Sequence, residues 1–302
     1  MRLNLFLIFA ACLLSVSAQD APPPLDAASA VAEPAHNRNA SAFIRVDRDA
    51  HKVRLQTGIT TYAKEGITVD LIGAIHIADA KYYTQLNKEF THYESLLFEM
   101  IGGGKLINDK ADKAPDDAHD PMVNMLADIY GMLAKFLNLQ IQKDGINYKA
   151  ANFVHADLSL EEFTKLQLEK KESLLGFALQ NAQNNPQPGT RQPNLQKLLT
   201  AMLAGNSNGM KLELVDTLGN AGDQVAAMTG QSVIIGDRNA KCLKVLSEQV
   251  TAGKRKIGIF YGAAHFPDME KKMLKNGYRK TGHRWLTAWD IRNHRPAVQE
   301  TK

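Results

Sequence analysis

The sequence predicts an α/β chain with a largely parallel central sheet. The sheet is built from two related strand–GxxH–helix units with a helical insertion between them. Three observations carry this reading. The phrase GAxHxxD occurs twice, at Gly73–Asp79 and Gly262–Asp268, each time closing a hydrophobic run. Around both copies, short β-branched and aromatic runs alternate with apolar residues at helical spacing. From about residue 120 to 228 the pattern changes to longer amphipathic stretches. With 302 residues, 44% hydrophobic and 23% charged, the chain has enough apolar material to bury one large core.

The first 18 residues read as a signal peptide. Arg2 supplies the positive start, Leu3–Leu14 the apolar run and Ser15–Ala18 the small residues for cleavage. The run is shorter than the ~20 apolar residues of a permanent membrane span. The protein is therefore expected to be exported, periplasmic or secreted. Phe9–Cys12 also carries a weaker lipoprotein reading, since Phe9 suits that position poorly and the apolar run continues past Cys12. Residues 19–42, rich in Pro, Ala and polar side chains, read as a disordered linker. Residues 43–302 then form a single domain. Cleavage after Ala18 leaves Cys242 as the one cysteine of the mature chain, so no internal disulfide is available. In NAKCLKVL, Cys242 falls on the buried face of a helix and reads as core.

Order begins near Phe43. FIRV, KVRLQTGITTYA and ITVDLIGA read as strands, the last apolar enough to be buried on both faces. Asp79 is placed to cap a helix through Tyr93 that carries Tyr82, Tyr83, Leu86 and Phe90 on one face. SLLFEM is the next strand, parallel to the first and expected beside it. Met122–Leu139, Leu160–Ala182 and Pro193–Leu203 read as helices of the insertion, the first too charged, at Asp128 and Lys135, to cross a membrane. The α/β pattern returns at SVIIGDRN. A helix follows to about Val250, then the strand KIGIFYGA, a helix capped by Asp268, and a last strand RWLTAWDI.

In a parallel sheet, binding and catalytic groups gather beyond the carboxyl ends of the strands. Glycine after the strand allows a sharp turn or a close backbone approach. The histidine two residues beyond Gly-Ala is then presented across the top of the sheet. Two copies would aim His76 and His265 at one cleft, and Glu99, at the end of SLLFEM, would reach the same edge. Two imidazoles and a carboxylate are the ligand types of a divalent metal site. They equally make a general-base apparatus for activating water. Asp79 and Asp268 read as helix caps. Arg238 either orients Glu99, binds an oxyanion, or pairs with Asp237 or another acid. His155 and Asp157 are secondary candidates, Asp157 doubling as a cap for the helix at Leu160.

These residues resemble the TraB/PrgY/GumN family, to which the TIKI metalloproteases belong. The resemblance rests on GAIH at Gly73–His76, Glu99 in LFEM, Arg238-Asn239 in GDRN and GAAH at Gly262–His265. It runs over most of Val69–Ile291, loosely in the middle at NFVHADLSLEEF. It implies a fold like that of the erythromycin esterases and the ChaN haem- and iron-binding lipoproteins. It also implies a hydrolytic site of His76, Glu99, Arg238 and His265. TIKI-type members are peptidases using a divalent metal such as manganese or cobalt, here held by His76, Glu99 and His265. The erythromycin esterases suggest a metal-free variation with histidine as base.

The functional expectation is an exported hydrolase, a metal-dependent peptidase first, acting on a peptide or small molecule. The alternative is a non-catalytic protein that sequesters a peptide, haem or metal in the same cleft. A haem would need an axial ligand and a broad apolar face, which Met122, Met125 and Tyr130 could supply, although Met at helical spacing usually packs a core. An interaction protein is a third reading. The net charge of +4 and pI of about 8.9 come with no Lys/Arg block interleaved with aromatics, which speaks against a nucleic-acid partner.

Overall fold

The computed structural model describes residues 43–103, 131–172, 193–226 and 232–292. The segments expected to be leader and linker, at 1–42, and the first half of Met122–Leu139, at 122–130, lie outside them. Within them the chain is α/β, with a largely parallel central sheet of seven strands flanked by helices.

The sheet is seeded by a hairpin. β2 (Lys52–Lys64) turns back into β3 (Ile67–Ala74) through Glu65 and Gly66, both at positive φ, 47° and 77°. That is the backbone a two-residue turn between antiparallel strands requires. β2 is long enough to serve two partners on one side, β1 (Ile44–Arg48) with its first half and β3 with its second. On its other side lies β9 (Arg279–Arg292), antiparallel over nearly its whole length.

Beyond β3 the sheet is parallel. β3 pairs with β8 (Lys256–Gly262), β8 with β5 (Ser95–Phe98), and β5 with β7 (Phe153–His155). β3 and β5 run parallel, as expected, but they are not neighbours: β8 lies between them. KIGIFYG is buried at every position after Lys256, so it takes the place where both faces and both edges are covered. The insertion is also less purely helical than expected. NFVH supplies the edge strand β7, and Gln140–Ile141 forms a two-residue strand β6 that pairs with β4 (Ile77–Ala78).

Helix α1 (Ala80–Phe90) buries Tyr82, Tyr83, Leu86 and Phe90, as its spacing predicts. Asn152 Nδ2 closes its far end by donating to the carbonyls of Phe90 and Tyr93 at 2.8 and 2.9 Å. Helix α2 (Leu160–Lys170) starts from a capping box in which Ser159 and Glu162 exchange hydrogen bonds, so Ser159 caps it and Asp157 does not. It ends at Lys171, in the left-handed conformation at φ 53°; the expected continuation to Ala182 lies outside the described residues. Helices α3 (Leu195–Leu203) and α4 (Ser207–Ala226) follow, and α4 packs against β1, β2, β9 and the Ala263–His265 turn. SVIIGD makes a π-helical turn, Val233–Asp237, that runs into α5 (Arg238–Thr251). Cys242 is buried on α5, as expected. Helix α6 (Phe266–Lys275) connects β8 to β9.

The core lies on both faces of the parallel strands, with Phe98, Phe153, Phe90 and Phe260 linked in that order by ring contacts. Each such side chain contributes roughly 1.5–3 kcal/mol by leaving water. Of Met122–Leu139, residues 131–137 are described and helical, with Ala134 and Leu137 packed into the core and Met132 and Phe136 exposed. Among the described residues no helix is long and apolar enough to cross a membrane.

Candidate active site

The carboxyl ends of the parallel strands bring most of the predicted residues together. At the end of β3, the carbonyls of the first GAxH turn are held by the following helix. Tyr82 Oη donates to Gly73 O and Tyr83 Oη to Ile75 O, both at 2.8 Å. The Gln142 amide donates to His76 O at 2.7 Å. His76 is thereby presented half-buried at the edge of the site. Gly73 does this by close approach and not by a positive φ. A Cβ there would sit 3.2 Å from the carbonyl oxygens of Gly58 and Phe43.

Glu99 follows β5, and its amide continues the ladder to Phe260 O. Its side chain crosses the end of β8. Oε2 accepts from the Gly262 amide at 2.6 Å, and Oε1 accepts from Arg238 Nη2 at 2.7 Å. A Cβ at Gly262 would come within 3.3 Å of Oε2, so this glycine too is a matter of space. Arg238, the first residue of α5, is wholly buried. Its Nε and Nη2 also grip Asp157 side-on, at 2.9 and 2.6 Å. Asp157 stands just beyond β7, so the insertion contributes a carboxylate to the site.

His265 is completely buried. Its Nδ1 meets Asn239 Oδ1 at 2.6 Å, and its Nε2 lies 3.6 Å from Glu99 Oε1. Nε2 has no hydrogen-bond partner among the described residues. Asn239 Nδ2 donates to His265 O at 3.0 Å and to Asp268 Oδ2 at 2.7 Å.

The charges follow from these contacts. Burial works to raise the Glu99 pKa, but Arg238, His265, His76 and the Gly262 amide hold it down, at about 2. Burial pushes His265 down, to about 4, against the pull of Glu99 and with help from Arg238. Burial also lowers His76, again opposed by Glu99. Both imidazoles therefore lie within electrostatic reach of one ionised carboxylate, and His265 is neutral near pH 7.

Several expectations change. Arg238 commits its Nε and Nη2 hydrogens to Glu99 and Asp157 and, more weakly, Nη1 to Ile234 O, so it orients the carboxylate. Asp237 pairs with Lys170 instead. Asp79 occupies the N-cap position of α1 without a capping bond; its oxygens take the Asp290 amide at 2.8 Å and Lys211 Nζ at 3.4 Å. Asp268 lies inside the first turn of α6 and serves Asn239 and Lys272. His155 Nε2 donates to Met100 O at 2.7 Å, a bond that ties β7 to the end of β5. The Arg238-Asn239 pair singled out in GDRN is here, but the role of Asn239 as the partner of His265 is what sequence reasoning misses.

A divalent metal would have to be held by His76, Glu99 and His265. Among the described residues no three His, Cys, Asp or Glu side chains are grouped to hold a metal ion. Both Glu99 oxygens already accept hydrogen bonds, and a guanidinium lies on the oxygen nearest His265. As placed, these residues do not fit a metal, whereas a neutral imidazole beside an ionised carboxylate is suited to taking a proton. No family model, curated protein or solved structure matches the chain.

Proposed function

We propose that the chain is an exported hydrolase that cleaves the acyl bond of a peptide or small-molecule substrate by attack of water on its carbonyl carbon, with His265 as the base. The observation that carries this reading is the buried His265 Nε2, which has no hydrogen-bond partner among the described residues and faces ionised Glu99. A substrate water donating to Nε2 would lose its proton there as it attacks the carbonyl. The imidazolium so formed is stabilised by the Glu99 carboxylate and returns the proton to the leaving group. Arg238 keeps Glu99 ionised and fixed. His76, half-buried at the edge, gives an arriving substrate a polar contact.

The complete burial of His265 and Arg238 favours a second reading, the non-catalytic binding protein, in which the same cluster only locks the strand ends together. Assays of peptide and ester panels separate the two, run with chelator and with added manganese. Hydrolysis that survives chelation, and that falls by about 10²–10⁴ in His265→Ala and Glu99→Gln, supports a metal-free base. Hydrolysis that appears only with manganese restores the metal reading. Inert wild-type protein in every assay, with variants that merely melt early, leaves the binding protein.

A further inference from the structure

We infer that Asn239 is a positioning residue that fixes the tautomer of His265, placing the proton on Nδ1 and leaving the Nε2 lone pair for the site. The inference rests on the reading of His265 as the base that acts through Nε2.

The orientation of the Asn239 amide decides where the proton sits. Asn239 Nδ2 is within hydrogen-bond distance of His265 O and Asp268 Oδ2, at 3.0 and 2.7 Å. A carbonyl oxygen and a carboxylate oxygen only accept, so the NH₂ end of the amide must face them. Oδ1 is then left facing His265 Nδ1 at 2.6 Å, and an amide oxygen also only accepts. Nδ1 must therefore carry the hydrogen, and in a neutral ring Nε2 is bare. Asp268 is itself anchored by Lys272 Nζ at 2.6 Å. The result is a chain, Lys272–Asp268–Asn239–His265, that carries polarity from the exposed side of α6 into the buried ring. Asn239 and His265 are both completely buried, so water does not supply a substitute acceptor for Nδ1. The same chain explains why Asp268 caps no helix: its carboxylate sets the amide orientation.

The tautomer is directly visible in the ¹⁵N spectrum of the imidazole, assigned to His265 by its disappearance in His265→Gln. In wild type at neutral pH, His265 should show a protonated Nδ1 and an unprotonated Nε2. Asn239→Leu removes the acceptor, and the ring should lose its single tautomer. Where turnover is measurable, kcat should fall by about 10²–10⁴ with KM little changed, as expected of a base held in the wrong tautomer. The exchange variant Asn239→Asp with Asp268→Asn keeps an acceptor on Nδ1 and the same charge count, and should keep the wild-type tautomer. A proton on Nε2 in wild type overturns the inference. So does an unchanged tautomer in Asn239→Leu, or its loss in the folded exchange variant. Because the spectrum needs no substrate, absence of hydrolysis counts against the hydrolase reading alone.

Discussion

The two GAxHxxD phrases share every defining letter yet fold differently. After His265 the chain goes straight into α6, and the ring is sealed inside the protein. After His76 it first makes the short strand β4, paired with β6, and the helix waits until Ala80; this ring stays half-buried. The second aspartate organises the site through Asn239, whereas the first serves the Asp290 amide and Lys211 outside it. The shared letters decide where a strand ends and a histidine is presented. The residues between His and Asp, Ile77-Ala78 in one copy and Phe266-Pro267 in the other, decide whether a strand or a helix comes next.

The largest test of this contrast is Arg238, which binds the end of the second unit to Glu99 and Asp157. Arg238→Leu would bury both carboxylates without their shared cation. Removing one member of a buried ion pair costs about 3–5 kcal/mol. Urea unfolding should show a loss of that order, and no other single change at the strand ends should match it. A loss below ~1 kcal/mol, the level of an exposed pair, would mean that the cluster is solvated.

Acid should act through the same region. Glu99 is held below its usual pKa, near 2, so its contribution is present above about pH 4.5 and is lost as pH falls toward 2. His265 is also depressed, near 4. For a histidine this means the folded protein binds fewer protons than the unfolded chain between the two values. Its contribution is therefore complete above about pH 6.5 and lost on the way down to 4. The melting temperature should decline from about pH 6.5 downward, and His265→Gln should flatten the upper part of that decline. An unchanged decline in the variant would assign it to other groups. The hydrolase reading adds that the acid limb of kcat/KM should lie near 4, well below that of an ordinary histidine.

The two motif glycines should separate as well. An alanine at Gly73 presses on the backbone oxygens of Gly58 and Phe43, which have little room to yield. Gly73→Ala should cost about 1–3 kcal/mol, the usual range for overpacking. An alanine at Gly262 meets instead the carboxylate end of Glu99. A carboxylate tip can give by the few tenths of an ångström needed there more readily than a backbone oxygen can, so Gly262→Ala should lose less stability while disturbing the Glu99–Gly262 bond and with it any activity. Equal melting temperatures for the two variants would remove the distinction.

Much of this architecture is legible in the sequence because it depends on local pattern. The continuous apolar runs at ITVDLIGA, SLLF and KIGIFYG specify parallel strands, and the helical spacing of Tyr82, Tyr83, Leu86 and Phe90 specifies α1. The placing of His76, Glu99, Arg238 and His265 at strand and helix ends follows from those elements. Pairing across distance is not legible in this way. Nothing local says that β8 enters between β3 and β5, or that Phe153–His155 leaves the insertion to become an edge strand. Aspartates read as caps because a cap is a local rule, yet Asp79, Asp157 and Asp268 each find a partner far along the chain that a local rule does not reach. Asn239 is visible in the motif beside Arg238, but its role is not, because a neutral amide announces no charge and no ligand type.

The smallest effect belongs to the residue that distinguishes the two phrases most locally. Pro267 stands in the first turn of α6, where its missing N–H has no carbonyl to serve and its fixed φ suits the helix. Ala78, at the matching place after His76, keeps the N–H and C=O that β4 uses to pair with Gln140 of β6. Replacing Pro267 by alanine leaves every hydrogen bond of the site in place, because those run through Asn239, Asp268 and Glu99. What changes is the unfolded chain, which regains freedom at one residue. Pro267→Ala should therefore lower stability by about 0.4–1 kcal/mol without altering the His265 tautomer. A loss of several kcal/mol, or a disturbed tautomer, would show instead that Pro267 holds the turn itself and that the second phrase depends on it to bury its histidine.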